Sequence, residues 1–228
     1  EERFRHIHDV AWQGANPPKK RNLEDGFVAV GEKIYNATTP PFEGITGARR
    51  MMKAFLISQR RHLPMSHELL GQIQKRTDLV DEETRSDVQM NNLFMDLLSG
   101  SVGVGDRLEW MRECGLLQKF LPELAPIIHI VDYDKSYDYT LDEHSIEAVR
   151  VMDELAHTRD TGQVAQRQIL SKIQMPHLLR LSLLLHHIEG GAEEIHEICR
   201  RMNLPKNSIQ RVEFLASNQD LLRDLTRS

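Results

Sequence analysis

The chain has 228 residues, 40% of them apolar and 28% charged, with a formal net charge of −5. That is enough chain to bury a core and too apolar a composition for a disordered one. The acidic balance excludes a general nucleic-acid footprint, which needs clustered positive charge. Two cysteines, Cys114 and Cys199, stand in no metal-binding spacing and fit the buried, reduced thiols of a cytoplasmic protein. No stretch reaches the about 18 apolar residues of a membrane span. The longest, Leu178–Leu185, is broken by Arg180 and Ser182. The chain opens on Glu1-Glu2-Arg3-Phe4, without Met or leader pattern, and closes on a polar helical pattern. Both ends predict a piece of a longer polypeptide, whose other domains are its expected partners.

Residues 1–24 read as a linker. Asn16-Pro17-Pro18-Lys19-Lys20-Arg21 joins two prolines to three cations, an extended and solvated pattern. His6-x-His8-Asp9 has ligand chemistry but lies in a polar stretch with no scaffold around it. Residues 25–125 read as a helical subdomain that begins with a short hairpin. Val28, Val30, Ile34 and Tyr35 flank the tight Gly31 connection, and Thr39-Pro40-Pro41 then breaks regular structure.

Helical spacing starts at Ile45 and runs through Ala48, Met51, Met52, Phe55 and Leu56 to Pro64. Ser66 suits an N-cap before Leu69, Leu70 and Ile73. Leu93, Phe94, Leu97 and Leu98 mark the next helix, stopped by Ser99-Gly100. Leu108 and Met111 precede Leu116 and Leu117, with Gly115 as the break. The glycines of Gly100-Ser101-Val102-Gly103-Val104-Gly105 follow a helix, not a strand, and read as a connector.

Residues 126–228 read as a second helical domain. Asp142 suits an N-cap for a helix with Ile146, Val149, Met152 and Leu155 on one face. Pro176 starts a helix that is apolar nearly all round, the pattern of a central, buried element. Helices over 192–202 and 208–225 complete the set. Strands do not alternate with helices, so the fold class is mostly α: a multi-helix bundle with a small β-hairpin near the N-terminus.

The most site-like stretch is Leu183-Leu184-Leu185-His186-His187-Ile188-Glu189-Gly190-Gly191. Imidazoles at the end of an apolar helix must be hydrogen-bonded or metal-bound to offset their desolvation. Tyr139-Thr140-Leu141-Asp142-Glu143-His144 places a further His in the first turn of another helix, beside two acids. If those two helices pack together, His144, His186 and His187 converge as metal ligands. Capping acids and a helix-face His are the simpler alternative for the second stretch. His62, His67, His129, His157, His177 and His196 are singletons. No Cys-x-x-Cys, phosphate-cradling glycine loop or nucleophile elbow occurs.

Three segments together resemble a known family. Asp134-Lys135-Ser136-Tyr137-Asp138-Tyr139-Thr140-Leu141-Asp142-Glu143-His144 is similar to the D-x-Y-H-x-Y-T-V-D-E-H motif of bacterial PII uridylyltransferase/uridylyl-removing enzymes. Met111-Arg112-Glu113-Cys114-Gly115-Leu116-Leu117, with Leu121-Pro122-Glu123-Leu124, resembles that family's M-x-x-x-G-v-L and P-E-f segment. Leu183–Gly191 resembles L-L-H-D-I-G-K-G, the His-Asp motif of HD-domain phosphohydrolases. The resemblance covers roughly residues 25–225. It implies an all-helical bundle lying between a nucleotidyltransferase domain and ligand-sensing domains. In that family the bundle removes uridylyl groups from a PII-type signalling protein, which is therefore an implied partner.

The chain departs from the pattern at ligand positions. His187 stands where the family has Asp, Gly190 where it has Lys, and Tyr137 where it has its first motif His. The family's H-x-x-x-G-A stretch after the pair is missing, because Gly191-Ala192-Glu193 leads straight into the next helix. A later family His falls near Gln219, and its last metal-binding Asp at or beyond Ser228. Only His144 and His186 map as retained ligands, so the resemblance implies a degenerate HD domain. Three readings stay open. One is a regulatory or scaffolding domain without hydrolysis and without a cofactor. Another is an active, metal-dependent uridylyl-removing phosphodiesterase using His144, His186 and His187 around a divalent metal. The third is a helical interaction module whose Met51, Met52, Met90, Met95, Met111 and Met152 form an adaptable surface.

Overall fold

The computed structural model describes residues 19–128 and 140–218. The expected hairpin is present: strands β2 (Phe27–Val30) and β3 (Lys33–Asn36) pair antiparallel, Phe27 opposite Asn36 and Val30 opposite Lys33. Gly31, at φ +60, supplies the left-handed conformation its two-residue turn requires. A third strand, β1 (Lys20–Asn22), pairs with the other edge of β2 and sets Lys20 opposite Val30. These residues read as linker in the sequence because all three side chains are polar and exposed. Their order comes from main-chain pairing, which leaves no apolar pattern behind. Phe27, Ala29 and Ile34 are buried and anchor the sheet to the helical body.

Helix α1 (Gly44–Arg61) buries Ala48, Met51, Met52 and Phe55 at three- and four-residue spacing. It stops two residues before Pro64, where His62 adopts φ +53 and its N–H closes on the carbonyls of Ser58 and Gln59. Ser66 caps α2 (His67–Gln74) as expected, its hydroxyl accepting from the Leu69 N–H at 3.1 Å. A single-turn helix, α3 (Glu82–Arg85), leads into α4 (Val88–Leu98). The Asp87 carboxylate caps α4 and takes the Arg49 guanidinium in two bonds of 2.8 and 2.6 Å. Helices α5 (Val104–Glu113) and α6 (Leu116–Phe120) divide at Gly115, which is left-handed at φ +78.

The second half holds α7 (Leu141–His157), α8 (Val164–Leu170), α9 (Pro176–Leu185), α10 (Gly191–Arg201) and α11 (Lys206–Ser217). The mostly α architecture therefore holds, with a three-stranded sheet in place of the hairpin alone. Helix α9 is the central element that its composition implies. It packs against α4, α7 and α11, while α1 packs on α4, α5 on α7 and α10 on α11. One apolar cluster runs through all of these elements from Phe27 to Ala216. Met51, Met52, Met90 and Met111 are fully buried within it, Met152 is buried outside it, and Met95 is partly buried against it. None of the six is exposed, and four of them fill the core. No helix among the described residues is long and apolar enough to cross a membrane.

A buried polar junction fixes the helices that carry the candidate site. Asp153 on α7 accepts two bonds from Arg180 of α9, at 3.1 and 2.7 Å. Its other oxygen accepts from the N–H groups of Val104 and Gly105, at 2.7 and 3.1 Å. Arg180 also donates to the Leu98 carbonyl at 2.7 Å. One carboxylate thus satisfies the exposed donors at the start of α5, and one guanidinium satisfies the end of α4. Both side chains are almost fully buried, so the pair is viable only because its hydrogen bonds are made. Beside it, Gly105 lets α5 approach α7 closely: a Cβ there would lie 2.8 Å from Cα of Arg150.

Candidate metal centre

Local chemistry places His144 first. Helix α7 begins at Thr140, two residues earlier than the Asp142 cap expected from sequence. Thr140 and Glu143 form a capping box, in which the Glu143 carboxylate accepts the Thr140 N–H at 3.1 Å. Asp142 is buried inside the first turn, accepting the Thr140 hydroxyl at 2.6 Å. Its other oxygen takes Arg112 of α5 at 3.3 Å, and Arg112 also reaches Glu143 at 3.4 Å. The hydrogen bond that Arg112 donates to Glu109 is the main cause holding its guanidinium above its ordinary pKa, with Asp142 and Glu143 adding to it. A cation is therefore permanently present between three acids. It ties the first turn of α7, and so His144, to α5.

His186 and His187 leave the end of α9. His186 is the C-cap residue of that helix, and its Nδ1 lies 2.7 Å from the Leu183 carbonyl. A carbonyl can only accept, so Nδ1 is the donor in this contact. Gly190 and Gly191, at φ +90 and +58, turn the chain into α10 immediately afterwards.

The structure brings the three imidazoles together. One ligand nitrogen from each of His144, His186 and His187 lies within 4.8 Å of the others. Ring centroids are 3.7 Å apart for His186 and His187, 5.5 Å for His144 and His187, and 5.9 Å for His144 and His186. All three are half-buried. Among the described residues, no carboxylate or thiol joins them at that spacing.

The donor set decides which metals fit. Magnesium-like hard cations need several oxygen ligands, and two-metal hydrolysis needs a group that holds both ions. Three neutral nitrogens supply neither, so a dinuclear, carboxylate-bridged centre does not fit these residues. A single borderline ion does fit, because imidazole suits zinc, nickel, cobalt and copper.

The other histidines lie elsewhere. His62 closes α1, His157 contacts the Asp153 carbonyl at 3.0 Å, and His196 pairs with Glu213 at 2.7 Å. Burial, then nearby Arg180, lowers the pKa of His177. His6, His8, His129, Tyr137, Gln219 and the motif residues 134–139 lie outside the described residues. Sequence reasoning missed Arg112 as the clamp on α7 and the Asp153–Arg180 junction. Glu109 three residues before Arg112 signals a local helical pair. The partners across helices leave no such signal. A groove of about 580 Å³ lies at the opposite end of α9, between Met175, Leu178, Arg211 and the exposed Phe214.

Comparison with known proteins bears on this region. Residues 27–120 match the family model of the uridylyltransferase GlnD third domain. Over 206 residues the chain is 25% identical to a bifunctional uridylyltransferase/uridylyl-removing enzyme of Azospirillum brasilense, covering 86% of this chain and 22% of that protein. Over 225 residues it is 24% identical to the enzyme of the same name from Caulobacter vibrioides (strain NA1000 / CB15N), covering 94% of this chain and 24% of that protein. The chain thus spans less than a quarter of the length of these relatives. The family match ends before His144, whereas the pairwise similarity extends over most of the chain.

Proposed function

We propose, from the premise that the chain is homologous to a segment of bifunctional uridylyltransferase/uridylyl-removing enzymes, that it is an HD-type helical domain without hydrolytic activity. It serves as a regulatory or interaction domain within a longer cytoplasmic polypeptide. The observation that carries this reading is the composition of the cluster: three imidazoles converge, and among the described residues no carboxylate joins them. Replacing the family's Asp by His187 exchanges an anionic, potentially bridging oxygen ligand for a neutral nitrogen. Two hard cations then lack the negative charge that holds them near each other. What the fold retains is the packing of α7 against α9, which suits transmission between neighbouring domains. A PII-type signalling protein is the partner implied by the resemblance.

The test is phosphodiester turnover. The purified chain is incubated with bis-p-nitrophenyl phosphate, and with a uridylylated PII-type protein, in the presence of Mg(II), Mn(II) or Fe(II). No turnover above the metal blank is expected. Turnover that His186→Ala abolishes would instead establish the alternative, an active uridylyl-removing phosphodiesterase built on His144, His186 and His187.

A further inference from the structure

We infer that His144, His186 and His187 bind one borderline divalent transition ion, of the zinc or cobalt class, which staples the first turn of α7 to the end of α9. This rests on the carboxylate-free reading of the cluster given above. It does not depend on whether the domain hydrolyses anything.

Three observations converge on it. First, the donors come from two separate segments, yet a nitrogen of each lies within 4.8 Å of the others. Tetrahedral coordination with bonds of about 2.05 Å places nitrogens about 3.4 Å apart. Closing a gap of up to 4.8 Å to that spacing takes at most about 1.4 Å, which side-chain torsions can supply. Second, the Nδ1–H of His186 is already held by the Leu183 carbonyl at 2.7 Å. That is the outer hydrogen bond that fixes the tautomer of a ligating imidazole and presents Nε2 to the ion. Third, both segments are held rigidly by other contacts. Arg112 and the capping box fix the turn that carries His144. The Asp153–Arg180 pair fixes α7 against α9.

The chemical class of the ion follows from the donors. Three neutral nitrogens leave the whole ionic charge in place and offer no hard oxygen. Affinity should therefore follow nitrogen preference, with cobalt and zinc far above magnesium and manganese. A fourth position stays open to water or to an external ligand. Because the ion binds only the folded arrangement, it raises the unfolding midpoint.

The experiment uses the full 228-residue chain, stripped with a chelator and titrated with Co(II). Visible absorption of four-coordinate Co(II) is the readout, followed by displacement with Zn(II). One ion per chain is expected, with a higher unfolding temperature when it is bound. His144→Ala, His186→Ala and His187→Ala should each weaken binding at least tenfold, while His196→Ala leaves it unchanged. His144→Gln keeps a polar side chain of similar size and serves if the alanine variant does not fold. His187→Asp, which restores an oxygen ligand, should raise affinity for Mn(II) relative to Zn(II). Absence of a Co(II) spectrum, two ions per chain, or equal loss on His196→Ala would overturn the inference. None of those results restores hydrolysis. Phosphodiester turnover, in contrast, overturns the proposed function whichever metal binds.

Discussion

Asp153→Ala is the most informative single perturbation of this fold. The carboxylate accepts four hydrogen bonds: two from Arg180, and one each from the N–H groups of Val104 and Gly105. Its removal leaves Arg180 charged at 3% exposure, with the Leu98 carbonyl as its remaining acceptor among the described residues. Breaking a buried pair by removing one partner costs ~3–5 kcal/mol. The two helix-start donors, partly rescued by entering water, add about 1 kcal/mol. A loss of about 4–6 kcal/mol is a large share of the ~5–15 kcal/mol that holds a domain folded. At ~2–4 °C per kcal/mol for a chain of this size, the melting temperature should fall by about 8–24 °C. Urea unfolding followed by circular dichroism measures this, with the slope compared to confirm that the transition itself is unchanged. Arg60→Ala is the control, since the Arg60–Asp96 pair is more than half exposed and should leave the midpoint nearly unmoved. The double variant Asp153→Ala with Arg180→Met should recover part of the loss, because the stranded charge is gone. If Asp153→Ala stays within about 1 kcal/mol of the parent chain, the junction is not what fixes these helices.

Three further outcomes are expected. Gly105→Ala pushes a methyl to within 2.8 Å of the Arg150 backbone, so α5 must move off α7 at a cost of about 1–3 kcal/mol, measured by the same denaturant titration. Burial pushes the Cys114 thiol up to about 11 and the Cys199 thiol up to about 12, so neither should react with a thiol reagent near neutral pH until denaturant is added, when two react per chain. The Arg49 hydrogen bond holds the Asp87 carboxyl below the ordinary carboxylate range. Its contribution is therefore present above the unfolded-state pKa of about 3.9 and lost as pH falls through the lower folded value. Asp87→Asn should flatten that acid limb of the stability profile, and an unchanged limb would assign it to other carboxylates.

Much of the fold is legible one segment at a time. Helical spacing marks α1 through Met51, Met52 and Phe55, and the Ser66 cap, the Gly115 break and the Pro176 start lie where local chemistry puts them. The alternation around Gly31 marks β2 and β3. These features depend on residues within a few positions of one another, and hydrophobic periodicity or capping records that directly. β1 is not legible, because a polar edge strand is specified by the backbone of its neighbour. The cap of α7 is misplaced by two residues for a related reason: Thr140, Asp142 and Glu143 all have capping chemistry, and Arg112 on another helix draws Asp142 inward.

The chemistry of the candidate site divides along the same line. The sequence by itself determined that His144 and the His186-His187 pair stand at two helix ends. It said nothing of their separation. Only the tertiary structure decided that one nitrogen of each lies within 4.8 Å of the others. That distance is set by Asp153 and Arg180 aligning α7 with α9, and by Arg112 holding the first turn of α7. Those contacts join residues far apart along the chain, and their strength comes from burial, which exists only once the helices have packed.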